Sequence, residues 1–570
     1  MQGTIAGTGE LAGESGNAPR RLGSFGLKLV AALAVIIGAD IIFWQNHWLG
    51  SGFGLFAGLL LLVTVAARGG VRQRGAAMIA AAIGLFYAGA MMFDPGLIAF
   101  LLFMITIAVM ALMPAAAKSG DGWQWFQRLF FHGILSAIGP LLDLAKWTKV
   151  RRKLRQRPGT RKARPRSFFS IIQTLMLPLI GSAVFIMLFA VANPVIEEML
   201  AKLDWPTPDA LIIPRAMMWG AILWLSWSLL RPRLLRRVSG TFEGRGDVHI
   251  PGVTPQSLRL SLGLFNIIFA AQNAMDIFYL GGFASLPDGM SLAEYAHRGA
   301  YPLIATALLA GLFTLVTLRP GSTSARDPLI RRLLVLWIAQ NIFLVASSME
   351  RTFDYISVFS LTEWRIAALA WMVLVAVGLA LICWRMLKDK NASWLINTNL
   401  LATGMMLSIF TIVDTSAIAA QWNVRHAEEV GGKGTNLDLC YLNRMGGPAL
   451  LPLVELEQRP GLAADFRQRV KAVRMEVQAG VTDSQFEYGW TLRNAQRLAK
   501  AESQLGKVDK DMNLRSYDCD GSIIDADADR YESGATPPAQ TPVQKAGPEA
   551  AKSSLPSPPP SAHPQPSKRK

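Results

Sequence analysis

The stretch GLIAFLLFMITIAVMALMP, residues 96–114, contains no charged side chain. A helix needs about 20 mostly apolar residues to cross a hydrocarbon core of roughly 30 Å. Inside lipid, only α-helices and closed β-barrels satisfy every backbone N–H and C=O group. The run shows no strict apolar and polar alternation, which argues against a barrel strand. It therefore predicts a membrane-spanning helix.

Ten further runs of the same kind occur in the chain. Of its 570 residues, 51% are hydrophobic and only 17% are charged, and the mean hydropathy is +0.30. This balance is far from that of a soluble globular protein. The predicted fold class is therefore all-α, a polytopic helical membrane protein with about eleven spans. These spans lie at 27–45, 50–67, 76–93, 96–114, 168–192, 213–230, 259–280, 301–318, 330–348, 365–384 and 394–420.

The net charge of +17 is interpreted from where the basic residues lie. With the N-terminus placed in the cytoplasm and sides alternating, inner segments hold 32 Lys and Arg and outer segments hold five. The other 20 follow the last span, together with 19 Asp and Glu. Such asymmetry follows the positive-inside rule, so the basic charge indicates membrane topology and argues against nucleic acid as a partner. The predicted location is a bacterial inner membrane, with the N-terminus cytoplasmic and the C-terminus periplasmic.

These predictions divide the chain into eight segments. After the last span the hydropathy falls and helical periodicity of the soluble kind begins, whereas the final segment is rich in Pro, Ser, Ala and Gln and predicts disorder. The segments are a disordered cytoplasmic N-terminus (1–26), four spans (27–114), a cytoplasmic loop (115–167), two spans (168–230), a second cytoplasmic loop (231–258), five spans (259–420), a periplasmic helical domain (421–532) and a disordered Pro-rich tail (533–570).

The first cytoplasmic loop has an aromatic-rich part, 121–147, followed by the basic stretch KVRRKLRQRPGTRKARPR, 149–166. An amphipathic helix beside a polybasic run is expected to lie on the anionic inner leaflet, where each basic residue contributes about 1 kcal/mol. A topology signal without a ligand of its own explains the run equally well. The predicted lipid-headgroup contacts are Arg151, Arg152, Lys153 and Arg155.

Polar side chains in or beside the spans cluster at one depth. Each such residue is a candidate functional site, because polar groups in a membrane are costly unless they face protein or water. On the predicted topology the set lies in the outer third of the membrane, which favours an outward-opening polar vestibule. Plain interfacial ion pairs, such as Glu350 with Arg351 or Asp354 with Arg365, explain part of it equally well. The candidates are Asp40, His47, Asn273, Asp276, Glu294, His297, Arg298, Glu350, Arg351, Asp354, Arg365 and Asp414.

The chain has three cysteines. Cys383 lies within a predicted span and is expected to be a small apolar filler. Cys440 and Cys519 both follow the last span, where an oxidising compartment would permit a disulfide between them. No HExxH, paired CxxC, GxSxG or Walker A pattern occurs, so neither a metal nor a cofactor is predicted.

Three stretches resemble a known family. They are FNIIFAAQNAMDIFYLGG with MSLAEYAHRGAYPLIATALLAG between 265 and 311, YISVFSLTEWR at 355–365, and IAAQWNVRHAEE with LDLCYLNRMGGPAL between 418 and 450. In this order they resemble the bacterial multi-span family called domain of unknown function 4173, which is related to family 4153. Phe359 and Ser360 depart from that family's Tyr-Gly pair. The resemblance covers about 255–455 and implies a bacterial inner-membrane protein, with no catalytic role attached.

Three functions are consistent with these observations. The first is a non-enzymatic protein whose vestibule, capped by the helical domain, binds or passes a small solute or envelope precursor. The second is a sensor or scaffold in which the outer domain and tail contact a periplasmic or envelope partner. The third is an envelope enzyme on a lipid-linked substrate, with Glu294, His297 or Asp354 as acid or base.

Overall fold

The computed structural model describes most of the chain between residues 18 and 523. The described part is built from α-helices and contains no β-strand. The described ranges are 18–46, 49–116, 120–155, 211–233, 254–280, 305–315, 322–487, 489–507 and 517–523, with isolated positions between 175 and 199.

Six labelled helices precede residue 231. They are α1 (Ala18–Ala39), which continues as a π-helical turn over Asp40–Gln45, α2 (Gly52–Ala67), α3 (Gly75–Phe93), α4 (Leu97–Leu112), α5 (Gly122–Arg155) and α6 (Ile212–Leu230). α1 thus begins before the span predicted from residue 27. α5 joins the aromatic-rich part of the cytoplasmic loop and the start of the basic stretch into one helix.

Ten helices follow. They are α7 (Pro255–Leu280), α8 (Ala305–Leu315), α9 (Pro328–Phe359), α10 (Glu363–Leu387), α11 (Ala392–Phe410), α12 (Thr415–His426), α13 (Leu439–Met445), α14 (Gly447–Glu457), α15 (Ala464–Glu487) and α16 (Leu492–Leu505). The predicted tail, 533–570, lies outside the described residues, as do positions 1–17 of the predicted N-terminus.

Among the described residues, six helices are long and apolar enough to cross a membrane, or seven if α11 and α12 form one broken span. The sequence predicted eleven spans. Two of the others correspond to the shorter apolar helices α2 and α8, and a third corresponds to α6. The predicted span 168–192 lies almost wholly outside the described residues. The six are Gly26–Gln45, Gly75–Phe93, Leu97–Ala115, Pro255–Phe278, Pro328–Phe359 and Glu363–Leu387.

The last predicted span, 394–420, is broken. α11 and α12 meet at an angle of 64°. The break falls where Asp414 caps α12, its carboxylate accepting a hydrogen bond from the backbone N–H of Ala417 at 2.9 Å. An Asp at an N-cap satisfies one of the donors that a new helix leaves open, which favours a helix start there over continuation.

The membrane helices form two packed groups. In the first, α1–α4 and α6 surround a core that includes Leu60, Phe103 and Met110. In the second, α7–α10 surround Trp337, whose ring lies 5.3 Å from that of Phe265. Many large apolar side chains point outwards instead of into these cores, as expected for helices whose outer surface meets lipid.

Basic residues gather where one set of helix ends meets. Lys28 of α1, Arg68 after α2 and Arg231 after α6 line one cavity. The second group shows the same arrangement, since Arg259 of α7 pairs with Asp327 at the start of α9. Ser393, at the start of α11, donates to Asp121, just before α5, and Arg331 of α9 donates to the Leu387 carbonyl at the end of α10. These helix ends therefore lie on the same side of the protein. We call this end of the helices the basic face.

The other helix ends carry the C-terminal helices. The Ser51 N–H donates to the Trp490 carbonyl at 2.7 Å, and the Ser51 hydroxyl donates to the Met92 carbonyl at 2.5 Å. A Cβ added at Gly50 would overlap the Trp490 carbonyl, so only glycine permits this approach. We call this end of the helices the opposite face.

The helices α12–α16 have a core of their own, made of aliphatic side chains that include Leu442, Leu453 and Val473. The structure joins Cys440, at the start of α13, to Cys519 by a disulfide, with the two Cα atoms 4.8 Å apart. The bond ties the segment after α16 back to α13.

Ser360, between α9 and α10, has a φ of 66° and a ψ of 169°. This region is adopted almost only by glycine, because a Cβ is sterically disfavoured there. Ser360 is one of the two positions at which the sequence departs from the Tyr-Gly pair of the resembled family. The backbone geometry therefore suits the glycine that this chain lacks.

Candidate functional site

A line of polar side chains runs between α7 and α9. On α7, Asn266, Asn273 and Asp276 follow helical spacing and share one face. The amide of Asn266 donates to the Leu333 carbonyl at 3.0 Å, and the amide of Gln340 donates to Asn266 Oδ1 at 3.0 Å. We use the name polar seam for the line formed by Asn266, Asn273, Asp276, Gln340, Ser347 and Arg351, together with the buried Asn341 next to Gln340 on α9.

The end of the polar seam nearer the opposite face is a buried ion pair. Arg351 donates to Asp276 Oδ1, and both side chains are almost fully buried. Ser347 donates to Asp276 Oδ2 at 2.5 Å, and Gln272 donates to Oδ1 at 2.9 Å. Each carboxylate oxygen thus has a donor, as a buried charge requires.

The middle of the polar seam holds acceptors without protein donors. Asn273 donates its amide to the Gln340 carbonyl at 3.2 Å. Its own Oδ1, Gln340 Oε1 and Asn341 Oδ1 are buried and find no hydrogen-bond partner among the described residues. Buried polar atoms are normally satisfied by protein or water. These three oxygens can accept hydrogen bonds from water or from a polar solute.

Asp40 lies in a separate cluster, between α1 and α6. Its carboxylate forms a bidentate ion pair with Arg215, in which Nε donates to Oδ1 at 2.8 Å and Nη2 donates to Oδ2 at 2.6 Å. Trp219 donates to Oδ1 at 2.9 Å and Gln45 donates to Oδ2 at 3.2 Å. The Arg215 guanidinium also stacks over the Trp44 ring. This cluster joins two helices and holds its charge fully paired.

Asp414 lies in a third cluster, on the opposite face. Its carboxylate pairs with Arg497 and lies 3.3 Å from Nη1 of Arg493. The same Nη1 lies 3.1 Å from Asp94, at the end of α3. Burial lowers the pKa of Arg497, and the nearby Asp414 carboxylate acts against that shift. The cluster holds α16 against the membrane helices.

The remaining candidates divide into described and undescribed residues. Glu350 is exposed, and Asp354 is partly buried. Arg365 donates to the carbonyls of Phe359 and Ser360 and stacks over Tyr355. Arg351, the alternative partner of Glu350, pairs with Asp276. His47, Glu294, His297 and Arg298 lie outside the described residues, and for Arg151, Arg152, Lys153 and Arg155 only the helical backbone of α5 is described.

The structure therefore brings Asn273, Asp276 and Arg351 into one site and places Asp40 and Asp414 in two others. The basic partners Arg215, Arg493 and Arg497 were not among the sequence candidates. One signal pointed to Arg215, because an arginine inside a predicted span needs an acid on a neighbouring helix. The described residues contain no group of three or more His, Cys, Asp or Glu placed to hold a metal ion.

One comparison with known proteins gives a match. The family model described as Domain of unknown function (DUF4153) matches residues 80–456. This range contains the polar seam and ends within α14. No curated protein and no solved structure matches the chain.

Proposed function

Since the chain belongs to the DUF4153 family, we propose that it is an integral protein of the bacterial inner membrane that binds or passes a small polar solute or envelope precursor at the polar seam. The observation that carries this function is the set of buried, unpartnered oxygens on Asn273, Gln340 and Asn341, beside the Asp276–Arg351 pair. We also propose, from the three resembling stretches, that the chain is related to family 4173.

The proposed topology has eleven spans, a cytoplasmic N-terminus and the helices α12–α16 in the periplasm. The separation of a basic face from an opposite face supports it, because Lys and Arg concentrate on the cytoplasmic side of membrane proteins. The Cys440–Cys519 disulfide also supports it, since such bonds persist in oxidising compartments. On this topology the Asp276 end of the polar seam faces the periplasmic side.

The chemistry of the polar seam suits a polar ligand. Amide oxygens accept hydrogen bonds from hydroxyl and amino groups, and the Asp276–Arg351 pair offers one charge of each sign. Asparagines between helices can also act only as helix contacts, each worth about 1 kcal/mol. Helix contacts of that kind place their polar atoms in hydrogen bonds, whereas three buried oxygens of the polar seam have no partner among the described residues.

The test is a ligand screen on the purified protein in lipid nanodiscs. Thermal unfolding is followed with polar metabolites and soluble envelope precursors, for the wild type, Asn273→Leu and Asp276→Ala. Glu350→Gln is the control, because Glu350 is exposed beside Arg351 on the same helix. We expect a ligand that stabilises the wild type and the control but neither seam variant. A ligand that stabilises all four proteins equally would contradict the proposed site.

A second function is favoured by the surface of the C-terminal helices. A cavity of about 590 Å³ opens between α12, α14 and α16, lined by residues of both charges. This surface supports a scaffold or sensor that contacts an envelope protein through α12–α16. Deleting residues 421–570 distinguishes the two functions. If the protein is a scaffold, the deletion should abolish its function. If it binds a solute at the polar seam, that binding should persist. The lining residues are Gln421, Arg425, Leu451, Glu455, Gln458, Arg459, Lys500 and Gln504.

A further inference from the structure

A second cavity, of about 390 Å³, opens on the basic face. This volume falls within the roughly 300–1,000 Å³ of small-ligand sites. Three helices contribute to it, α1, α5 and α6, together with the residues that follow α2, α4 and α6. Its lining comprises Lys28, Arg68, Ala115, Asp143, Leu230, Arg231, Pro232 and Arg233.

The charges that line this cavity do not balance. Arg233 lies 3.0 Å from Asp143 Oδ1, and Arg231 lies 3.5 Å from Asp143 Oδ2. Of the lining residues that the structure describes, only Asp143 is acidic, and Lys28 and Arg68 add two further cations. Among the described lining residues, four cationic side chains therefore face one carboxylate, an excess of three positive charges.

The cavity lies at the level where membrane helices end. Lys28 is near the start of the span Gly26–Gln45, and Ala115 is the last residue of the span Leu97–Ala115. Arg68 and Arg231 directly follow α2 and α6. Helix ends of this kind mark the headgroup layer of a bilayer, where phosphate groups lie.

Arg68 is partly buried in this arrangement. Burial lowers the pKa of Arg68 to about 10. One of its Nη atoms donates to the Leu229 carbonyl at 2.8 Å, which fixes the guanidinium at the cavity wall. A fixed guanidinium with reduced hydration binds phosphate oxygens well, because its N–H groups match their geometry.

We propose that this cavity binds a phosphate group, held by Lys28, Arg68 and Arg231, with Asp143 positioning the arginines. The phosphate comes either from the headgroup of an anionic lipid or from a soluble phosphate. This site is distinct from the basic stretch that begins at Lys149, later on α5, and from the polar seam, which lies between α7 and α9. It adds an anion site to the proposed function and does not depend on it.

The experiment measures thermal unfolding of the full-length protein in neutral detergent. One arm adds phosphatidylglycerol, with phosphatidylcholine for comparison, and the other adds inorganic phosphate, with chloride at equal ionic strength. The variants are Lys28→Gln and Arg231→Gln. Lys388→Gln is the matched control, because Lys388 is an exposed lysine at another helix end of the basic face.

We expect each cavity variant to bind phosphate or lipid about fivefold more weakly than the wild type, which corresponds to ~1 kcal/mol per cation. The control should match the wild type. Stabilisation by phosphatidylglycerol but not by inorganic phosphate supports a lipid headgroup, and stabilisation by both supports a soluble phosphate. No stabilisation in either arm, or equal stabilisation of all variants, overturns the proposal.

Discussion

The guanidinium of Arg493 lies 3.1 Å from the carboxylate of Asp94, a residue 399 positions earlier in the chain. The same guanidinium donates to the Ile412 carbonyl at 2.8 Å and stacks over the Phe93 ring. One side chain of α16 therefore contacts the end of α3 and the break between α11 and α12. The C-terminal helices are held on the opposite face by such contacts.

Arg493→Ala is expected to loosen this attachment. The Arg493 side chain is 11% exposed and the Asp94 side chain is 42% exposed. The substitution should therefore lower the free energy of unfolding by about 2 kcal/mol, less than the 3–5 kcal/mol of a fully buried ion pair. Limited proteolysis between α15 and α16 should speed up accordingly. Arg425→Ala, which removes a pair exposed on both sides, should leave the cleavage rate unchanged. Equal rates for Arg493→Ala and the wild type would show that other contacts hold α16.

Asp276→Asn should destabilise the protein strongly. The substitution removes the carboxylate from the buried Arg351 guanidinium, a loss of about 3–5 kcal/mol. The double variant Asp276→Leu, Arg351→Met should recover most of that stability, since apolar side chains replace buried ion pairs at little cost. Thermal unfolding in detergent measures both. The recovered double variant should still fail to bind the ligand of the polar seam, and normal binding by it would contradict the proposed role of the pair.

Ser360→Gly should stabilise the protein by about 1 kcal/mol. Serine at a φ of 66° and a ψ of 169° carries steric strain that glycine does not. Arg365 donates to the Ser360 carbonyl, a contact that the substitution keeps. A rise in the unfolding midpoint is the expected result. Ser357→Gly, within the helical part of α9, is the control and should lower the midpoint, because glycine weakens a helix interior.

The free energy of unfolding of the protein should depend on pH through His132. This imidazole is buried on α5, and burial lowers its pKa. A hydrogen bond with the Arg233 backbone acts against that shift, and the positive charge of Arg68 adds a smaller lowering. The unfolded chain binds a proton near pH 6.5 and the folded chain only at lower pH. Stability should therefore fall as the pH drops below about 6.5. His132→Gln should flatten the change in unfolding midpoint between pH 8 and 5, and an unchanged slope would contradict this origin.

The sequence predicted the helical class and the position of most apolar helices, because continuous apolar runs determine both. It did not predict the break at Asp414, since a carboxylate near a helix end suits a cap and a binding site equally well. Helical spacing puts Asn266, Asn273 and Asp276 on one face of α7. It does not identify their partners on α9. Pairs such as Arg215 with Asp40, or Arg497 with Asp414, join distant parts of the chain and depend on tertiary packing that local pattern does not contain.

The difference between the vestibule of the sequence prediction and the three clusters of the structure has the same origin. Depth along a helix follows from counting residues, whereas lateral position in the membrane does not. Asp40, Asp276 and Asp414 were assigned similar depths, and each contacts a different arginine on a different helix pair. Among the described residues, buried side-chain acceptors without a hydrogen-bond partner occur only in the polar seam.

The proposed sidedness underlies the proposed function, because it puts the Asp276 end of the polar seam, the disulfide and helices α12–α16 on the periplasmic side. It is tested most directly by fusing alkaline phosphatase or green fluorescent protein after Gly506, at the end of α16. We expect an active phosphatase and a non-fluorescent green fluorescent protein at this position, and the reverse for fusions after Lys388 on the basic face. A fluorescent fusion at Gly506 with an inactive phosphatase would contradict the account.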